Sequence, residues 1–135
     1  MRMINAFLFG IVVLFLISPA GAVNATYSSY DGGYRFTRMT KPETTQVISC
    51  RENVQHVFQF LVANINTNIV VRMEGSLDGN YFFNLDINNV SLTVTANGAY
   101  GFKSTARIKF IRLVWVSESG GTAATLDAHY YGGAQ

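Results

Sequence analysis

Cysteine is almost missing from this chain: Cys50 stands alone among 135 residues, which excludes an intramolecular disulfide scaffold. The histidines number two, His56 and His129, and with a single cysteine they leave too few ligands for a structural zinc site. Charged residues make up only 13% of the sequence, with 10 Lys plus Arg against 8 Asp plus Glu, a formal +2. That balance excludes the basic footprint of a polyanion-binding surface, so no nucleic-acid partner is expected. Helical periodicity is also lacking. From Tyr34 onward no window sustains apolar residues at i, i+3, i+4 and i+7. No internal repeat or low-complexity block is present.

What the chain does have is 49% hydrophobic and 13% aromatic residues, enough for one domain with its own core. The first 22 residues read as an export leader. Arg2 precedes an apolar run over 4–17, too short at about 1.5 Å per residue to cross a hydrocarbon core of about 30 Å. Ala20-Gly21-Ala22 then supplies a small-x-small cleavage signature, and cleavage is expected after Ala22. The exported domain would carry 9 basic residues against 8 acids. Its expected location is extracellular or at the cell surface, and it would touch a membrane only through an uncleaved leader.

The body predicts an all-β fold, a single two-layer antiparallel β-sandwich, jelly-roll-like, of about 8 to 9 strands. The expected strands are 34–39, 45–50, 54–63, 68–77, 81–86, 90–96, 99–102, 106–118 and 122–131. Phe58, Phe60 and Val62 alternate with Val57, Gln59 and Leu61, so one face of that strand packs and the other is wet. The strand over 106–118 is apolar on both faces beyond its first residues, which places it centrally. Asp78-Gly79, Asn97-Gly98 and Gly120-Gly121 supply turn chemistry for three hairpins: 68–77 with 81–86, 90–96 with 99–102, and 106–118 with 122–131. Residues 23–33 show no core pattern and are expected to form a flexible arm ahead of a sandwich spanning 34–131. Residues 132–135 are expected to be a tail.

Several stretches together resemble a small β-sandwich module of phage and prophage proteins. They are Ser76-Leu77-Asp78-Gly79-Asn80-Tyr81-Phe82-Phe83-Asn84-Leu85, then Thr95-Ala96-Asn97-Gly98-Ala99-Tyr100, then Arg112-Leu113 through Val116-Ser117, and Gly121-Thr122-Ala123. The resemblance covers about residues 54–131. It implies a structural or binding module of virion, tail or cell-surface assemblies and carries over no catalytic residues. An export leader departs from that pattern, as does Phe82-Phe83 where a tryptophan often stands.

The residues themselves point to no reaction. Gly-x-Ser-x-Gly is absent, Cys50 ends an apolar alternation and reads as core, and the calcium-loop pattern Asp-x-Asp-x-Asp-Gly does not occur. Asp78 is accounted for by its turn, and Glu74 is expected to pair with Arg72 or Arg112 on a wet face. His56 and His129 read as partly exposed strand residues. No catalytic residue, metal or cofactor is expected, and the protein is not expected to be an enzyme.

Two functions from different classes remain. One is a secreted structural subunit of a surface, filament or virion-type assembly, partnered by copies of itself or by another surface or virion protein. In that reading the arm anchors through Val23, Tyr27 and Tyr30. The other is a carbohydrate- or surface-binding module using Tyr81, Tyr100, Tyr130 and Tyr131, with glycans as partners; Trp115, in the most apolar strand, is assigned to the core. Asn24 and Asn89 each begin an N-glycosylation acceptor triplet.

Overall fold

The computed structural model describes residues 22–28, 32–50, 55–85 and 91–133. Among them there is no helix, and twelve strands make up two sheets. In chain order the strands are β1 (Ala22–Val23), β2 (Ala25–Ser28), β3 (Gly33–Phe36), β4 (Thr44–Thr45), β5 (Ile48–Ser49), β6 (Gln55–Ala63), β7 (Asn68–Ser76), β8 (Phe83–Asn84), β9 (Leu92–Val94), β10 (Gly98–Ser104), β11 (Phe110–Ser119) and β12 (Thr125–Gly133). The larger sheet runs β1-β4-β11-β7-β8, with β5 also on β11 and β9 also on β7. The smaller runs β10-β6-β12-β3-β2. The all-β sandwich is therefore the fold, and every stretch expected as a strand contains one.

Alternation decides what each sheet buries. Ile111, Leu113 and Trp115 of β11 and Ile69, Val71 and Met73 of β7 form one cluster with Phe58, Phe60 and Val62 of β6 and Leu126, Ala128 and Tyr130 of β12. Each fully buried Val, Ile, Leu, Phe or Met side chain among them contributes about 1.5–3 kcal/mol. Trp115 is core, with its indole N–H donating to the Ser117 carbonyl at 2.9 Å. A register shift between Trp115 and Ser117 lets Val116 bulge outward.

Expectations at the chain ends and at the turns need correction. One concerns residues 23–33, whose described part is built into both sheets: β1 pairs in parallel with β4, β2 pairs with β3, and Val23 is buried. Main-chain pairing at the sheet margins carries this stretch, so its side chains need no core pattern. The expected cleavage point after Ala22 falls inside β1; the rest of the expected leader, residues 1–21, lies outside the described residues. At the other end β12 runs on to Gly133, into the stretch expected as a tail.

At the turns, the corrections are two hairpins. β9 pairs with β7 and β10 with β6, while β11 pairs with β7 and β12 with β6. Both turns therefore carry the chain from one sheet to the other. Their polar residues brace neighbouring connections: the Asn97 side-chain oxygen accepts the Ile65 N–H at 3.0 Å, Glu118 accepts the Ala124 N–H at 3.0 Å, and Asn66 donates to the Gly120 carbonyl. Gly120 sits at φ +83°, and a Cβ there would run into Thr67. The β7–β8 hairpin does form, with Glu74 opposite Asn84, but around a longer loop than a two-residue turn. Asp78 caps that loop by accepting the N–H groups of Asn80 at 2.9 Å and Tyr81 at 3.0 Å and the Ser76 hydroxyl at 2.9 Å. These bonds, that from Tyr81 first, hold its carboxyl below the usual range.

Candidate functional site

The residues singled out from the sequence do not converge. Val23 belongs to the core, and Tyr27, 56% exposed on the edge strand β2, packs edge-on against Tyr34 at 5.2 Å. Tyr81 stands 82% exposed on the β7–β8 loop. Tyr100 stacks on Phe60 at 5.9 Å and donates its hydroxyl to the Ala96 carbonyl at 2.7 Å. Tyr131 is exposed, but Tyr130, its neighbour on the opposite face, is 2% exposed and offers no stacking surface. Asn24 is exposed between β1 and β2, whereas Tyr30 and Asn89 lie outside the described residues.

Tyr130 serves a buried polar group instead. Its hydroxyl meets His56 Nδ1 at 2.9 Å, and His56 Nε2 meets the Ala106 carbonyl at 3.1 Å. A carbonyl can only accept, so Nε2 carries the proton and Nδ1 accepts from the tyrosine. His56 is fully buried, correcting its reading as partly exposed: it follows the Phe58 face, and that face is the core. Burial pushes the imidazole below its ordinary value against the opposing pull of the Ala106 bond, and it pushes the nearby Cys50 thiol up to about 11. A thiol so poised is a packing residue and no nucleophile.

On the outer face of the larger sheet, Glu74 pairs with both arginines named for it. Its oxygens lie 2.6 Å from Arg72 Nε and 2.6 Å from Arg112 Nη2, and the Arg112 guanidinium sits 3.8 Å from the centre of the Phe82 ring. Glu74 is buried, so this face is drier than the sequence implied.

The outer face of the smaller sheet has the opposite character. The register places side chains in rows across the strands, and one row reads Gly101, Gln59, His129, Arg35 and Thr26 on β10, β6, β12, β3 and β2. A second reads Ala99, Leu61 and Asp127, and a third Lys103, Val57, Tyr131 and Gly33. The side chains of Gln59, His129 and Arg35 are exposed and have no hydrogen-bond or ion-pair partner among the described residues. They line a groove of about 470 Å³ together with Leu61, Arg38 and Asp127, and an adjoining hollow of about 170 Å³ reaches Tyr131. Arg38 Nε lies 3.0 Å from each Asp127 carboxylate oxygen and Nη2 lies 2.9 Å from one of them, a bond that holds the guanidinium still more firmly charged. The groove thus offers a fan of unengaged donors and acceptors between two apolar patches, Leu61 and Tyr131, both more than half exposed. No cluster of three His, Cys, Asp or Glu suited to a metal ion exists among the described residues.

Neither Arg35 nor Gln59 was nominated as a site residue, although Tyr34-Arg35-Phe36 and Phe58-Gln59-Phe60 put both on a wet face. What the alternation does not give is the register that sets them on either side of His129.

No model of a known protein family matches the chain, and no curated protein matches it by sequence. Among solved structures, the SPBc2 prophage-derived protein YomS is similar with a TM-score of 0.53 at 8% identity, over 86% of this chain and 99% of that one. A structure described as "CBM4 structure and function" is similar with a TM-score of 0.46 at 11% identity, over 84% of this chain and 79% of that one. Both neighbours are β-sandwiches, and the resemblance to prophage sandwich modules holds at the level of the fold.

Proposed function

We propose that this chain is a non-enzymatic binding module, exported by way of a leader over residues 1–22, that recognises a carbohydrate chain on the outer face of the five-stranded sheet. The observation carrying this reading is the unpartnered row Gln59, His129 and Arg35 along the groove. Sugar hydroxyls both donate and accept, and a row of amide, imidazole and guanidinium groups can meet several of them side by side. Leu61 and Tyr131 offer apolar surfaces for the C–H faces of the rings. The groove volume falls within the range of about 300–1,000 Å³ typical of small-molecule sites. Calorimetric titration with a panel of soluble polysaccharides tests the proposal. Binding that weakens about 3- to 10-fold in Gln59→Ala, the loss of one net hydrogen bond, is the expected result. Failure of every glycan to bind would overturn it.

Assembly into a surface or virion-type structure is the second reading, favoured by the edge strand β2 with its exposed Tyr27. It requires the scattering mass of the protein to rise with concentration and to fall back when the β2 edge is blocked by Tyr27→Pro, at a position whose N–H faces away from β3.

A further inference from the structure

We propose that the groove is selective for an acidic sugar, a uronate whose carboxylate docks on Arg35; this rests on the reading of that face as a glycan site. Of the two arginines lining the groove, Arg38 is engaged by the carboxylate of Asp127, while Arg35 is exposed and without a partner. A guanidinium presents its N–H donors in a planar fork that matches a carboxylate with two parallel bonds. The groove lining holds one acid, Asp127, already neutralised, so an incoming carboxylate meets no unopposed negative charge there. Lys103, on the next row of the same face, adds a further positive charge.

The geometry extends this to a chain. Arg35, His129 and Gln59 stand on three adjacent strands, spaced by about 4.8 Å each, close to the length of one pyranose along a polysaccharide. A uronate on Arg35 therefore leaves the next sugar ring over His129 and the following one over Gln59, where hydroxyls find their partners. A nucleic acid fits less well: the chain's formal charge is only +2, far short of the basic surface that a phosphate backbone requires.

The test titrates the intact protein with hexamers of galacturonate, guluronate and glucuronate, each beside its carboxyl-reduced neutral counterpart, and with a glutamate hexapeptide of equal charge. At least one uronate hexamer is expected to bind roughly 10- to 100-fold more tightly than its neutral form, the range of a charge-assisted bond at a partly exposed site. Arg35→Gln should abolish that preference, bringing the acidic and neutral hexamers to equal affinity, while leaving the thermal unfolding midpoint in place. Lys109→Gln, which removes the same charge from an exposed position in the other sheet's surroundings, should keep the preference. Equal binding of acidic and neutral hexamers overturns the selectivity and leaves the glycan site standing. No binding of either kind overturns both. Equal binding of the glutamate peptide overturns the assignment to sugars.

Discussion

The two outer faces of the sandwich carry the same kinds of side chain in opposite states. On the larger sheet Glu74 holds Arg72 and Arg112, and Phe82 covers the second guanidinium. On the smaller sheet Arg35, His129 and Gln59 stand in register without partners, and the nearest acid is engaged by Arg38. The difference teaches how to separate structural polarity from recognition in a protein whose composition points to no reaction. Where polar groups close on one another they specify the fold. Where the backbone aligns them and leaves them open to water, their donors and acceptors stay available to a ligand, which is what the proposed glycan site uses.

Disrupting the closed face should cost the most. Glu74→Ala strands two arginines beside a buried site and is expected to lower the unfolding free energy by about 3 kcal/mol in urea titration, the low end for breaking a buried pair because both arginines are partly exposed. A loss below about 1 kcal/mol, the scale of surface pairs, would erase the contrast between the faces.

The interior supplies the next effect. The unfolded chain takes up a proton on His56 near the ordinary value of about 6.5, whereas burial delays this in the folded chain to lower pH. The folded state then binds fewer protons, so stability is full above about pH 6.5 and declines as pH falls through the window beneath it. Denaturation at pH 7.5 and pH 5 should show this decline in the native sequence and a smaller one in His56→Gln. Smaller again, Tyr100→Phe removes the bond to Ala96 at the sheet margin and should cost about 1 kcal/mol. At the bottom of the scale, Arg35→Gln and His129→Gln should each leave stability within about 0.5 kcal/mol, since neither side chain has a partner to lose. A larger loss at either position would show that the open face is structural after all.

Much of the fold was legible because alternation of apolar and polar residues writes burial directly into sequence. Phe58, Phe60 and Val62 faced inward as their spacing demanded, and the apolar strand around Trp115 proved central. Pairing was not legible in the same way. Asn97-Gly98 and Gly120-Gly121 look like hairpin turns because turn chemistry records local dihedral needs and carries no information on which sheet the next strand joins. The first strands escaped notice because edge pairing is made by the main chain. The candidate site shares this history: the wet side of each strand could be read, but the alignment of Arg35, His129 and Gln59 is a property of the register between strands far apart in the chain.

The sheet-switching turns also bear on how the chain reaches this state. Because β9–β10 and β11–β12 are not hairpins, few strands can pair with their immediate successor, and β6 must wait for β12 while β7 waits for β11. Long stretches of chain must be closed into loops before pairing rewards them, which places folding in the millisecond-to-second regime of sandwiches rich in non-local contacts. During that delay the apolar strands β6 and β11 are exposed to one another across molecules, so the yield of refolding should fall as protein concentration rises.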